Sequence, residues 1–145
     1  VKEYTYDIER ARELIGDPDQ EIEVKLVSSP VLLSVAEKIA NNWSEIGIKT
    51  VVQVSSVIPT EHQAYLAIFD VPKDPDQYSF WHSTQQATNI SGFQNPRIDK
   101  LLEDGRVELN SEERRKIYLD FQRFLVEDLP AAFLYHPETY TIVRK

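Results

Sequence analysis

The chain has 145 residues, 41% of them hydrophobic, and carries a formal net charge of −8. That length and apolar fraction suit a single compact domain over residues 1–145, while the acidic balance argues against nucleic acid and anionic membrane surfaces, which both need clustered Lys and Arg. The absence of cysteine excludes disulfides, thiolate catalysis and Cys-based zinc sites, and no apolar run approaches the ~20 residues that span a bilayer.

Residues 7–15 read as a helix. Asp7 is placed to cap it, Ile8, Ala11 and Ile15 share a face, and Gly16 can close the C-terminus. GDPDQ (16–20) is turn chemistry. EIEVKLV (21–27) alternates, with Ile22, Val24 and Leu26 on a drier side, and predicts a strand. Residues 31–46 show the clearest helical period: Val31, Val35, Ile39 and Trp43 form one row, and Gly47 follows. IKTVVQV (48–54) is β-branched and predicts a second strand. A strand, helix and strand of this length predict a parallel pair.

Residues 59–64 suggest a short helix, and YLAIF (65–69) reads as a short strand covered on both faces. A loop with two prolines spans 70–75, and a helix is expected over 76–84. Residues 85–95 read as loop. Asn95 caps the next helix, with Pro96 at its first position and Ile98, Leu101 and Leu102 facing inward. Ser111 is expected to cap a long helix to about Asp128, whose stripe is Ile117, Phe121, Phe124 and Leu125, with Pro130 ending it. AAFLYH (131–136) and TYTIVR (139–144) predict two further strands. The fold class that follows is α/β, a mixed sheet flanked by helices.

In open parallel sheets, ligands meet the chain beyond the carboxyl ends of the strands. The strand at 65–69 ends on Phe69 and Asp70 and feeds the stretch DVPKDPDQYSFWHST (70–84). If this stretch is helical, Tyr78, Trp81 and His82 stand at i, i+3 and i+4 and share a face. They can wall a cleft, with rings as apolar surface and polar tips as orienting donors, or simply pack into a core. Asp70 can attract a cationic group or cap its own turn. Asn89 can bind a backbone-like group or hold its own loop.

Catalytic chemistry finds little support in the pattern. The three histidines, His62, His82 and His136, are widely spaced and no HExxH occurs. Asp70, Asp74 and Asp76 suggest calcium only loosely, because the glycine and terminal glutamate of an EF-hand are missing. Ser83 adjoins His82, but no GxSxG elbow exists. With four glycines and no phosphate-cradling loop, no cofactor is expected. Val1 opens the chain, no methionine occurs and no leader is recognisable, so a processed form or a piece of a longer protein is expected.

Several stretches share a second feature. YDIERARELIGD (6–17), VAEKIANNWSEIGIKTVVQ (35–53), DPDQYSFWHSTQ (74–85), NISGFQNPRIDKLLEDGR (89–106) and ERRKIYLDFQRFLVEDLPAAFLY (113–135) occur in that order. Together they resemble the C-terminal lobe of extracytoplasmic solute-binding proteins of ABC importers, of the oligopeptide- and dipeptide-binding type.

The resemblance implies one lobe of a type II periplasmic-binding-protein-like fold and capture without bond chemistry. Two lobes would close on a peptide or similar small solute and present it to ABC permease subunits in the membrane. The partners implied are that solute, the protein's own N-terminal lobe and the permease. The location implied is extracytoplasmic, periplasmic or tethered as a lipoprotein. The ligand-binding set is Phe69, Asp70, Asp74, Tyr78, Trp81, His82 and Asn89. The alternatives are a ligand-sensing domain of a transcriptional regulator and, behind it, a hydrolase using acids and His82.

One departure concerns the ligand. Peptide binders of this family hold the peptide amine with an aspartate shortly before a DP pair, usually with a tryptophan a few residues earlier. Here the segment reads AIFDVPKDP, without tryptophan, and Asp70 stands one residue further from the pair than usual. A shielded carboxylate–ammonium contact contributes roughly 1.5–3 kcal/mol.

Overall fold

The computed structural model describes residues 3–16, 21–58, 62–138 and 140–144. The chain divides into two compact units, one formed by Tyr4–Val71 and one by Pro72–Lys145 with Val1–Glu3.

The first unit opens with helix α1, Ile8–Ile15. The Asp7 carboxylate accepts the Arg10 amide at 2.8 Å, and Gly16 leaves the helix at φ 73°, so both ends expected from the sequence are present. The 16–20 turn lies largely outside the described residues. Strand β1, Ile22–Ser28, is the centre of a three-stranded sheet ordered β2-β1-β3, with β2 at Ile48–Val54 and β3 at Ala64–Leu66. Both pairings are parallel, in registers Ile22↔Ile48 and Leu26↔Ala64, where a mixed sheet was expected. A 3-10 turn, Pro30–Leu32, leads into helix α2, Leu33–Ser44. Val31 therefore stands outside the helical row and is 77% exposed, while Ala36 faces inward and is fully buried. Leu26, Val27 and Ser28 are buried as well, so β1 is dry at its carboxyl end.

α1 is tied to the end of α2 by a side chain. Arg12 donates from Nε and Nη2 to the carbonyl of Glu45, at 3.2 and 3.1 Å. That satisfies a carbonyl which the helix end leaves without an intrahelical partner.

β3 corrects the reading of 65–69. It begins one residue earlier and ends at Leu66, its residues are half-buried, and Ile68 is 64% exposed. A three-residue edge strand has one neighbour and buries little, so apolar content alone did not make it a covered strand. Of the helix expected over 59–64, residues 59–61 lie outside the described residues, and Ala64 already belongs to β3.

The second unit is helical among its described residues: α3 at Tyr78–Trp81, α4 at Pro96–Val107 and α5 at Ser111–Asp128. Asn95 caps α4 as expected, with Pro96 in its first turn. At α5 the cap is Asn110 rather than Ser111, its Oδ1 accepting the amides of Glu112 and Glu113. Leu129 takes the left-handed conformation at φ 48° and closes the helix before Pro130. The core comprises Trp81, Ile98, Leu102, Tyr118, Phe121 and Leu125. Tyr118 was absent from the expected stripe, and Ile117 and Phe124 are only half-buried. Tyr118 reaches inward because Gly105 of α4 leaves room for it: a Cβ there would stand 2.8 Å from the tyrosine Cζ.

The two strands expected over 131–136 and 139–144 are absent among the described residues, which carry no regular structure there. Phe133, Tyr135 and Ile142 are 57%, 59% and 95% exposed. Apolar alternation records a preference for a pleated surface, but a strand exists only where another strand pairs with it.

Candidate functional site

The segment after β3 divides between the two units. Phe69 and Asp70 belong to the first, beyond the carboxyl end of β3; Phe69 is 37% exposed and Asp70 is exposed. Asp74, Tyr78, Trp81, His82 and Asn89 belong to the second.

In that second unit, Asp74 and Asp76 flank Pro75 and each folds the chain back on itself. The Asp74 carboxylate accepts the Asp76 amide at 2.8 Å, and the Asp76 carboxylate accepts the Tyr78 amide at 3.0 Å. Two such Asx turns in succession compete with helix, which is why α3 begins only at Tyr78. Both carboxylates also meet guanidiniums. Arg114 of α5 grips Asp74 with both terminal nitrogens, at 2.8 and 3.3 Å. Arg106 of α4 reaches Asp76 at 3.0 Å. The Arg114 hydrogen bond and the Asp76 amide hold the Asp74 carboxyl below the usual carboxylate range. Asp74 and Asp76 thus serve as counter-ions of arginines, and among the described residues no three His, Asp or Glu side chains gather as a metal site.

α3 is a single turn, because His82 adopts extended backbone at ψ 136°. Tyr78 and His82 still meet, their rings stacked at 4.0 Å and 21°, and the Arg106 guanidinium lies 4.4 Å from the centre of the same tyrosine ring. Trp81 points into the core, 7% exposed, with its ring edge-on to Phe133 at 6.3 Å.

His82 is 4% exposed and both ring nitrogens are engaged. Nδ1 accepts the Thr84 amide at 3.2 Å and lies 2.8 Å from the Thr84 hydroxyl. The proton is therefore on Nε2, which faces Glu103 at 3.4 Å, with Asp99 at 4.0 Å. Ser83 is not joined to this imidazole. Its amide donates to Asp99 at 2.9 Å, and its hydroxyl donates to the second oxygen of the same carboxylate. A nucleophile–base pair needs the hydroxyl to donate to the imidazole, so the neighbouring Ser and His of the sequence have separate partners. Asn89 is 6% exposed and spends its amide locally: Nδ2 donates to the Phe93 carbonyl at 2.8 Å, and Oδ1 accepts from Ser91 at 2.8 Å.

The sequence reading missed the arginines and Asp99. Arg114 did carry a signal, since a cation near a helix N-terminus opposes the macrodipole and calls for a carboxylate elsewhere. Tyr118 lies beside Arg114, and its hydroxyl is buried. Burial, followed by the charge of Asp76, pushes its phenol up.

No protein-family profile matches the chain. It is 26% identical, over 165 aligned positions spanning all of it, to di/tripeptide-binding protein 1 of Pseudomonas aeruginosa, and covers 31% of that protein. It is 32% identical over 68 residues to oligopeptide-binding protein AppA of Bacillus subtilis, covering 46% of this chain and 12% of AppA. The solved structure of AppA in complex with a nonapeptide matches 86% of this chain and 30% of that one, with TM-score 0.77 at 20% identity. NikZ from Campylobacter jejuni, solved in complex with Ni(L-His), matches 89% of this chain and 32% of its own, with TM-score 0.80 at 24% identity. The chain therefore has the periplasmic-binding-protein fold and matches one lobe of it. DppA from Helicobacter pylori, an ABC transporter-associated periplasmic binding protein solved with the peptide STSA, matches 90% of this chain and 29% of its own, with TM-score 0.78 at 24% identity. This chain spans less than a third of the curated relatives it matches.

Proposed function

We propose that this chain is the C-terminal lobe of a substrate-binding component of an ABC importer, which captures a peptide or similar small solute without altering it. The observation that carries the reading is the match of 89% of this chain to about a third of a solute-binding protein, at TM-score 0.80. On this reading the partners are an N-terminal lobe of the same protein and the permease subunits, and the protein works outside the cytoplasm, free in a periplasm or tethered as a lipoprotein. Among the described residues no helix is long and apolar enough to cross a membrane. The exposed apolar side chains of 131–144 fit a surface that another lobe covers.

Each unit offers its own candidate surface to the solute. In the first it is Phe69 and Asp70, with the carboxylate available to a cationic group. In the second it is the 74–89 segment, with Asp74 exposed, Tyr78 half-buried between the His82 ring and the Arg106 guanidinium, and Trp81, His82 and Asn89 buried and holding it in shape. Peptide is the leading solute, and a metal–amino acid chelate is the second, favoured by the likeness to NikZ, which was solved in complex with Ni(L-His).

The test is calorimetry on the full-length protein with di-, tri- and tetra-alanine and with Ni(L-His). Capture of a peptide with the product recovered unchanged supports the reading; covalent conversion, or no capture of any of these probes, overturns it. The isolated 145 residues should bind the same peptide more weakly than ~1 μM, because half a cleft cannot reach the ~70–90% ligand burial of a closed site.

A further inference from the structure

We propose that Arg114 and Arg106 are positioning residues for the solute-facing segment: they hold its entry by clamping Asp74 and Asp76, and so set solute affinity without touching the solute. The inference rests on the function proposed above.

The geometry is that of a three-point fastening. Arg114 grips Asp74 in bidentate fashion, and its Nε donates to the Gly105 carbonyl at 2.8 Å. One guanidinium therefore joins the loop, α4 and α5. Arg106, the next residue along α4, takes Asp76 through Nε at 3.0 Å and lies over the Tyr78 ring at 4.4 Å. Pro75 sits between the two aspartates with its φ fixed by its ring. The two carboxylates then orient the amides of Asp76 and Tyr78, so the start of α3 is defined by the clamps.

Most exposed ion pairs contribute little, and bidentate Arg–carboxylate pairs within a network are the exception. The Arg114 side chain is 27% exposed, and all three of its nitrogens are used. Asp74 has both oxygens committed to Arg114 and one shared with a backbone amide, which leaves it poorly placed to leave the loop for a ligand. Holding a binding segment in its bound shape before the solute arrives lowers the entropy cost of capture. Loosening it should weaken all solutes alike, leaving their rank order unchanged.

The test has two arms. Amide hydrogen exchange on the 145-residue chain compares wild type with Arg114→Leu, Arg114→Lys and Arg106→Leu. The Asp76 and Tyr78 amides should exchange ~tenfold faster in Arg114→Leu, with Lys intermediate because it keeps the charge and loses the fork. The Leu102 and Phe121 amides should stay within about twofold of wild type. Arg106→Leu frees Asp76 without touching Arg114, so it covers the case in which Arg114→Leu does not fold. In the second arm, the full-length variants should bind di-, tri- and tetra-alanine ~3–10-fold more weakly, in the wild-type order. Unchanged exchange at Asp76 and Tyr78 overturns the proposal. So does faster exchange spread evenly over α4 and α5, or a loosened loop with unaltered affinity. A wild-type protein that captures none of the peptides counts against the proposed function, while the exchange arm still decides whether the clamp exists.

Discussion

Trp81 separates two accounts of the 74–89 segment, because an indole in a solute's path and an indole in a core respond differently to removal. Its side chain packs with Ile98, Leu102, Tyr118, Phe121 and Leu125 and keeps 7% of its surface exposed. Trp81→Ala deletes that contact from the middle of the α3–α4–α5 core. Buried Trp or Phe to Ala changes cost about 3–5 kcal/mol, against a total stability of about 5–15 kcal/mol for a typical domain. The variant should therefore be marginal or unfolded at 37 °C. Trp81→Phe, which keeps a ring on Phe133, should lose about 1–2 kcal/mol and stay folded. Urea unfolding of the chain followed by circular dichroism measures both, with an unchanged m-value required for the comparison. An unfolding midpoint that does not move in Trp81→Ala, together with weaker solute capture by the full-length variant, would refute the core placement and return the indole to the ligand.

Three further outcomes follow from particular atoms. Asn110→Ala should cost about 1 kcal/mol because two α5 amides lose their acceptor, whereas Ser111→Ala should stay within about 0.5 kcal/mol; equal losses in urea unfolding would reject Asn110 as the cap. Gly105→Ala should destabilise by about 1–2 kcal/mol despite alanine's better helix propensity, since the new Cβ meets the Tyr118 ring at 2.8 Å; a gain in melting temperature would show that the ring has room to move. The lowered carboxyl of Asp74 contributes stability that is complete above its unfolded value, about pH 4, and fades as pH falls through the lower folded value. Asp74→Asn should thus be less stable than wild type at pH 5–7, with the gap narrowing as pH falls below about 4; a constant gap in stability on acidification would detach the effect from the carboxylate's charge.

What could be read from the sequence was what local signals determine. α2, α4 and α5 declared themselves by their apolar period, and Asp7, Asn95 and Pro96 marked helix starts through groups within three residues. The misreadings share a cause: each depended on a partner distant in the chain. The 131–144 stretch alternates like a strand but no described residue pairs with it. β3 has a neighbour for three residues and stops there. Tyr118 is an inward residue only because Gly105 lies opposite. In the candidate site, the types of residue were legible and their roles were not. Aspartates around a proline look alike whether they meet a metal, a solute amine or an arginine forty residues further on, and only the fold brings Arg114 to Asp74.

If the proposed function holds, the closed hydrogen bonding of the 74–95 segment bears on how its surface grips a guest. Asp74, Asp76, His82, Ser83 and Asn89 have their strongest polar atoms committed to one another, to backbone or to α4 and α5. A segment so committed cannot reorganise much around a solute, so it contributes shape more than adaptable hydrogen bonds. Selectivity drawn from shape is coarse, since an apolar pocket separates close analogues by only about 1–3 kcal/mol. On the proposed function, finer discrimination must then come from a group not already spoken for, and among the described residues Asp70 is the candidate carboxylate for which no ion pair is seen. On the proposed function, a solute with a cationic end suits the Asp70 carboxylate of the first unit better than a neutral one. Asp70→Asn in the full-length protein should therefore weaken a free-amine tripeptide more than its N-acetylated form, and equal weakening of both would take the amine away from Asp70.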